Sequence, residues 1–295
     1  MEASSAPWGV KVGSKRDAIL EIIRDTSSLP TLPGVVSRLQ ALSENRKSTI
    51  EEMARLVSSD QILSARVLRL VNSPSYGFYR VSTISNALIL LGVNVVKSLA
   101  LSSSIFEIME KTIVGLWEHS LGAGVAANII ARHLKLPEVE EISTAALLHD
   151  IGKVILKEKC ADDYALAAGA MARDGITMLE AERTVLGTDH AEVGEWLVRS
   201  WYLPDKLSEP VACHHDVARA QTHQVKTAVV HLSDVLVKAS GFGFSGDDYV
   251  PRIQTAAWER LGMTEADLAV IVEELEDRLV EAKNFSLEIQ SADES

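Results

Sequence analysis

Residues 147–153 read Leu147-Leu148-His149-Asp150-Ile151-Gly152-Lys153, and how this stretch is read decides the fold. Residues 143 to 157 are predicted to form one helix that is apolar on nearly all sides, interrupted by His149, Asp150 and Lys153. Such a helix is buried. Its polar groups then need partners, because an isolated imidazole or carboxylate in an apolar interior costs several kcal/mol.

Outward from this stretch, apolar residues recur at three- and four-residue spacing almost throughout. Val-, Ile- and Thr-rich alternating runs bounded by hairpin turns are scarce. The expected fold class is all-α. A loose tail is expected over 1–13, an N-terminal helical lobe over 14–112, a central helical lobe with the polar groups over 113–240, and a C-terminal helical extension over 241–295. The first lobe should hold helices near 16–25, 34–43, 50–58 and 60–71, with Asp60 as an amino-terminal cap and Gly92 marking a later break. The proline-bearing segment 29–33 ends the first helix. Further helices are predicted over 112–134, 189–201, 206–215 and 225–238. The loop 241–246 then leads to two final helices, the last opening at Thr264 with Asp267 in the capping-box position.

The 295 residues are 47% hydrophobic, enough to bury a substantial core, and the formal charge is −12. That charge opposes sequence-independent binding to nucleic acid. No run reaches the roughly 18 apolar residues needed to cross a bilayer, and no signal peptide is evident, so the expected location is the cytoplasm. Charge is uneven along the chain: 61–106 has no Asp or Glu, whereas ten acids follow Thr264. These patches are expected to face each other or a partner lobe, with an anionic ligand as the alternative. Cys160 and Cys213 are isolated and expected to be reduced.

Five of the eight histidines, His119, His149, His190, His214 and His215, fall on core-facing or helix-terminal positions, together with Asp150 and Asp234. One such group would be an ordinary hydrogen-bonded core residue. Seven in one lobe point to divalent metal, the most economical shared partner. The nitrogen and oxygen donors suit two divalent metal ions, iron or manganese first and zinc or nickel as alternatives. Asp150 would bridge them, and Lys153, one turn on, would pair with Asp150 or hold an anionic ligand. Two ions a few ångströms apart would favour hydrolysis at phosphorus. His231 is a candidate to orient Asp234, His133 and His223 read as solvated, and Trp117 and Trp196 as core. The segment 161–175 is a candidate cover for the site.

Several stretches resemble the HDOD (HD-related output domain) family of the HD-domain phosphohydrolase superfamily. In the central lobe these are Trp117-Glu118-His119-Ser120, the 147–153 stretch and His190-Ala191-Glu192-Val193-Gly194. In the first lobe they are Leu29-Pro30-Thr31-Leu32-Pro33, the run Leu68 to Gly77, and Ile84-Ser85-Asn86-Ala87 through Gly92. The matches cover about residues 20 to 240 in family order. The resemblance implies an HD-domain-like helical core and a role in bacterial signal transduction through other signalling proteins. Beside the related HD-GYP phosphodiesterases, the chain has counterparts in His119, His149, Asp150, Lys153, His190, His214, His215 and Asp234. It lacks the Gly-Tyr-Pro loop after His214-His215-Asp216, and Gly115 stands where some of those enzymes offer a glutamate ligand. Cyclic di-GMP hydrolysis and a third metal are therefore not expected.

The leading expectation is a regulatory module that acts by binding partners, with a dinuclear centre that is structural or sensory. The alternative is a metal-dependent phosphohydrolase acting on a nucleotide or cyclic nucleotide, with Asp150 and Lys153 in the catalytic roles. A metal-free scaffold of buried hydrogen bonds is the third reading. Oligomeric state is left open.

Overall fold

The structure, a computed structural model, describes residues 14–24, 38–39, 41–43, 45, 48–59, 63–64, 67–68, 71, 81–93, 96, 109, 112–201 and 203–293. The tail 1–13, the proline segment 29–33, the cap at Asp60, the run 72–80 and most of the helices expected over 34–43 and 60–71 lie outside them. The elements among the described residues are all helices, with no strand.

In the N-terminal part, α1 is Lys15–Arg24, α2 is Ile50–Ser58 and α3 is Ile84–Leu91. Thr49 and Glu52 form a reciprocal capping box at the start of α2, and Thr83 caps α3. Gly92 ends α3 at φ 84°, a left-handed position that glycine occupies without a Cβ penalty. The predicted break is therefore present.

The central part runs α4 (Leu116–His133), α5 (Val139–Leu148), α6 (Ile151–Lys159), α7 (Ala161–Asp174), α8 (Met178–Leu186), α9 (His190–Ser200), α10 (Asp205–Cys213), a 3-10 turn (Val217–Arg219) and α11 (Gln224–Ala239). Helices α4, α5, α10 and α11 pack as a bundle, α6 lies against α9, and α7 pairs with α8. The chain closes with α12 (Thr255–Leu261) on α11 and α13 (Glu265–Asp293) along α4. Ile271, Leu275 and Leu279 recur every four residues as the buried stripe of α13. Asp267 accepts hydrogen bonds from the backbone N–H and hydroxyl of Thr264, so the final capping box forms with aspartate. His133 is not free in solvent as expected: its Nε2 lies 2.8 Å from Asp267 Oδ1 and ties the end of α4 to the start of α13.

The single helix expected over 143–157 is corrected to two, α5 and α6, broken at His149-Asp150. The His149 Nδ1–H donates to the Ala146 carbonyl at 2.6 Å, adding to the long 3.4 Å bond that this last-turn carbonyl of α5 takes from the His149 backbone N–H. Asp150 then leaves helical geometry at φ −98°, ψ 6° and becomes the first flanking residue of α6. On a continuous helix two adjacent side chains diverge by about 100°; the break turns both inward.

Close approach of α6 and α9 sets the remaining geometry. A Cβ added at Gly152 would lie 1.9 Å from the carbonyl oxygen of His190 and 2.7 Å from the backbone nitrogen of Gly194. Only glycine fits there. At the far side of α9, Arg16 of α1 pairs with Glu192 and lies 4.9 Å over the half-buried ring of Trp196, a contact the core reading of that residue did not anticipate.

Gly152→Ala should separate α6 from α9 and destabilise the fold by about 1–3 kcal/mol or more. Gly169→Ala, helical with open space around it, should be neutral or stabilising by up to about 1 kcal/mol. Denaturant midpoints of the two variants check the contrast; equal midpoints would contradict the packing argument.

Candidate metal centre

Each of the seven predicted polar groups is delivered by a helix end or a helix interior of the central bundle. His119 sits in the first turn of α4, His149 and Asp150 at the α5–α6 break, His190 at the first position of α9, and Asp234 inside α11. His214 caps the end of α10, followed by His215. All seven converge, and six of them are 1% exposed or less, His215 being half-buried.

They form two groups that meet at one carboxylate. In the first, His119 Nε2 lies 3.3 Å from His149 Nε2 and 3.1 Å from Asp234 Oδ1. In the second, His190 Nε2 lies 2.8 Å from His215 Nε2, with His214 alongside. The oxygens of Asp150 are divided between them. Oδ2 is 3.4 Å from His149 Nε2 and 3.6 Å from His119 Nε2, whereas Oδ1 is 3.3 Å from His190 Nε2 and 3.9 Å from His214 Nε2.

Three of the imidazoles are fixed in one orientation by partners on their other nitrogen. His149 Nδ1–H donates to the Ala146 carbonyl, His214 Nδ1–H to the Val211 carbonyl at 2.7 Å, and His190 Nδ1–H to Glu182 Oε2 at 2.6 Å. In each case Nε2 is turned into the cluster, the arrangement by which outer partners set the tautomer of a metal-binding histidine. Sequence reading missed Glu182, which is fully buried and also accepts from the His190 backbone N–H at 2.9 Å. A signal was present, because Glu182 shares the apolar stripe of Met178, Ala181 and Leu186.

His231 does not orient Asp234 as expected. Its Nδ1–H donates to the carbonyl of His214 at 2.8 Å, and its Nε2 accepts from the Gln254 backbone N–H at 3.0 Å. Gln254, also missed, donates through Nε2 to the His215 carbonyl at 2.7 Å and so holds the His214-His215 pair from outside. Lys153 is 2% exposed, and its Nζ donates to Asp150 Oδ2 and to the Ser245 carbonyl, both at 2.7 Å. Segment 161–175, mostly α7, brings the buried Tyr164 against loop 241–248. Burial raises both thiols, Cys213 to about 11, so they are protonated and inert near neutrality.

The electrostatics follow from taking seven groups out of water. Burial favours neutral imidazole and lowers His119, His214 and His215, the last two well below the usual histidine range. Burial opposes charge at His149 too, but Asp150 and Asp234 prevail and raise it to about 10. Against their own burial, Asp150 is held well below the usual carboxylate range by His149 and Lys153, and Asp234 by Lys238 and His119.

The donor set suits divalent cations. Asp150 Oδ1, both oxygens of Asp234 and His214 Nε2 are buried without a hydrogen-bond partner, a costly arrangement that a shared cation would relieve. His119, His149, Asp234 and Asp150 Oδ2 would hold one ion, and His190, His214, His215 and Asp150 Oδ1 a second. Imidazole and carboxylate donors together suit iron, manganese, zinc or nickel.

The model of the HDOD domain matches residues 29–217. The chain belongs to the HDOD family. This HDOD chain is 28% identical to an HDOD domain protein of unknown function from Geobacter sulfurreducens, with a TM-score of 0.75, covering 92% of this chain and 98% of that one. It shares its fold with a Marinobacter aquaeolei VT8 protein provisionally named a signal transduction protein, at 20% identity and a TM-score of 0.76, covering 94% of this chain and 65% of that one. A curated relative, an uncharacterised protein of Treponema pallidum (strain Nichols), is 23% identical over 220 residues; the match covers 72% of this chain and 43% of that protein. Among the described residues of the HDOD chain no helix is long and apolar enough to cross a membrane.

Stability of the metal-free protein should peak near pH 6.5. Below it, unfolded histidines gain protons that folded His119, His214 and His215 refuse, so stability falls with pH. Above it, the proton kept by folded His149 is lost progressively up to about pH 10, and its contribution goes with it. Urea midpoints of chelator-treated protein measure this; a flat profile between pH 5 and 8 would refute it. Separately, Glu182→Gln should weaken metal affinity about 10–100-fold by removing the charged acceptor behind His190. Competition with a chromogenic chelator reports it, and unchanged affinity would remove Glu182 from the support of the site.

Proposed function

We propose that this HDOD protein is a bacterial regulatory module that acts by binding other signalling proteins, and that a buried pair of divalent ions, iron or manganese first, fixes or senses its conformation. One observation carries the reading. The Asp150 carboxylate joins two histidine groups whose members, the half-buried His215 aside, are almost wholly withdrawn from solvent. A closed centre of this kind suits a structural or sensory role better than repeated entry and exit of substrate. The provisional signalling name of the Marinobacter protein of like fold accords with it.

Lys153 favours a second reading. Its ammonium touches Asp150 Oδ2 at the point where the two histidine groups meet, which suits recognition of a phosphate ester by a metal-dependent phosphohydrolase acting on a nucleotide or cyclic nucleotide. Ions held there would lower the pKa of water and stabilise negative charge on a phosphoryl group. The chain's own part would be to orient the ester through Lys153 and to exclude bulk water.

Elemental analysis of protein made without an affinity tag should find about two metal ions per chain, and near zero in His149→Ala and Asp150→Ala. Metal-free wild-type protein would reject the dinuclear centre. Metal-loaded protein should turn over a panel of nucleotides and phosphoesters far more slowly than about 1 per second. Turnover at or above that rate, lost in both variants, would favour the hydrolase.

A further inference from the structure

Segment 241–247, which joins α11 to the C-terminal helices, lies against the centre instead of bridging over solvent. A Cβ added at Gly243 would be 2.2 Å from the His119 backbone nitrogen, and the Phe244 N–H donates to the Gly115 carbonyl at 2.8 Å. The strap then brings its oxygens to the positive groups of this region. Ser245, 2% exposed, presents its carbonyl to Lys153 Nζ at 2.7 Å. Asp247 Oδ1 lies 3.4 Å from Lys238 Nζ, and Asp247 Oδ2 accepts the backbone N–H of Met178, the first residue of α8, at 3.1 Å. The Tyr164 hydroxyl lies 3.8 Å from where a Cβ on Gly246 would sit.

Two ammonium groups and a helix-opening N–H thus meet three strap oxygens. This donor set is one that receives a tetrahedral oxyanion. We propose that segment 241–247 is an intramolecular stand-in for a phosphoryl group, and that a phosphate monoester or inorganic phosphate binds to Lys153, Lys238 and the Met178 N–H by displacing it. The inference deepens the proposed function by naming a ligand class, and rests on the metal reading only for the positive charge that ions would add.

Phe242 packs against the core and anchors the strap, so residues 243–247 are the part that lifts. Gly243 and Gly246 there hold positive φ of 70° and 109°, and Phe244, the one large apolar side chain among them, is already 41% exposed, so lifting them uncovers little new apolar surface. A phosphoryl dianion brings more charge to the two lysines than a neutral carbonyl and one carboxylate. With the strap closed, apparent affinity falls by the fraction of molecules that are open, so loosening it should tighten binding.

Hydrogen exchange on the wild-type chain, metal-loaded and chelator-stripped, provides the first test with inorganic phosphate as the probe. Saturating phosphate should speed exchange of the Phe244 amide at least tenfold while the interior amides of α11 stay protected. Calorimetry should show Asp247→Ala binding phosphate at least tenfold more tightly than wild type, and Lys238→Met added to it should abolish the gain. Unchanged Phe244 exchange in both forms overturns the proposal, even if Asp247→Ala fails to fold; so does a folded Asp247→Ala with no gain. Metal content of the same samples separates a failed strap from a failed centre.

Discussion

The arrangement depends on the cost of placing Asp150 in a dry interior. A buried carboxylate is tolerated only among cations and donors, and here the break between α5 and α6 turns its two oxygens toward different histidine groups. Around that carboxylate the outer contacts follow one rule: each fixed imidazole spends Nδ1 on a carbonyl or carboxylate and presents Nε2 inward. The helix ends supply these acceptors, since Ala146 and Val211 are last-turn carbonyls, Ala146 taking a long 3.4 Å bond from the His149 backbone N–H besides the bond from its ring. Secondary structure and site chemistry are thus two uses of the same carbonyl groups.

The two halves are unequal. One offers two imidazoles and the carboxylate of Asp234, the other three imidazoles with Glu182 behind His190. Both share Asp150. The asymmetry gives each half a different balance of charge and softness, so divalent ions held there would be preferred differently by the two halves.

Much of this was legible in the sequence, because histidines and aspartates on apolar helical stripes contradict the pattern around them. His119, His190 and Asp234 stand out in that way, and the family stretches around them fixed the order. What was not legible depended on tertiary contact. The helix break at 149–150 leaves no Gly or Pro mark and arises from side-chain capping and packing. Gln254 acts through its amide from a segment some forty residues after His215, which no local spacing reveals. Glu182 was readable by the rule that found His119, and was missed because its helix had not been placed. The loop 241–246 was expected to separate core from extension, whereas Gly243, Phe244 and Ser245 press into the core's polar face.

At Gly152 two backbones meet with no side chain between them. Ordinary cores absorb a mutation by letting a flexible side chain swing aside, but a contact of main chain on main chain has nothing to swing. The codon is thereby left without a tolerated neighbour, and drift in this part of the molecule must flow around that point. The spacing between the helices that carry Asp150 and His190 should persist in descendants long after their surfaces have diverged.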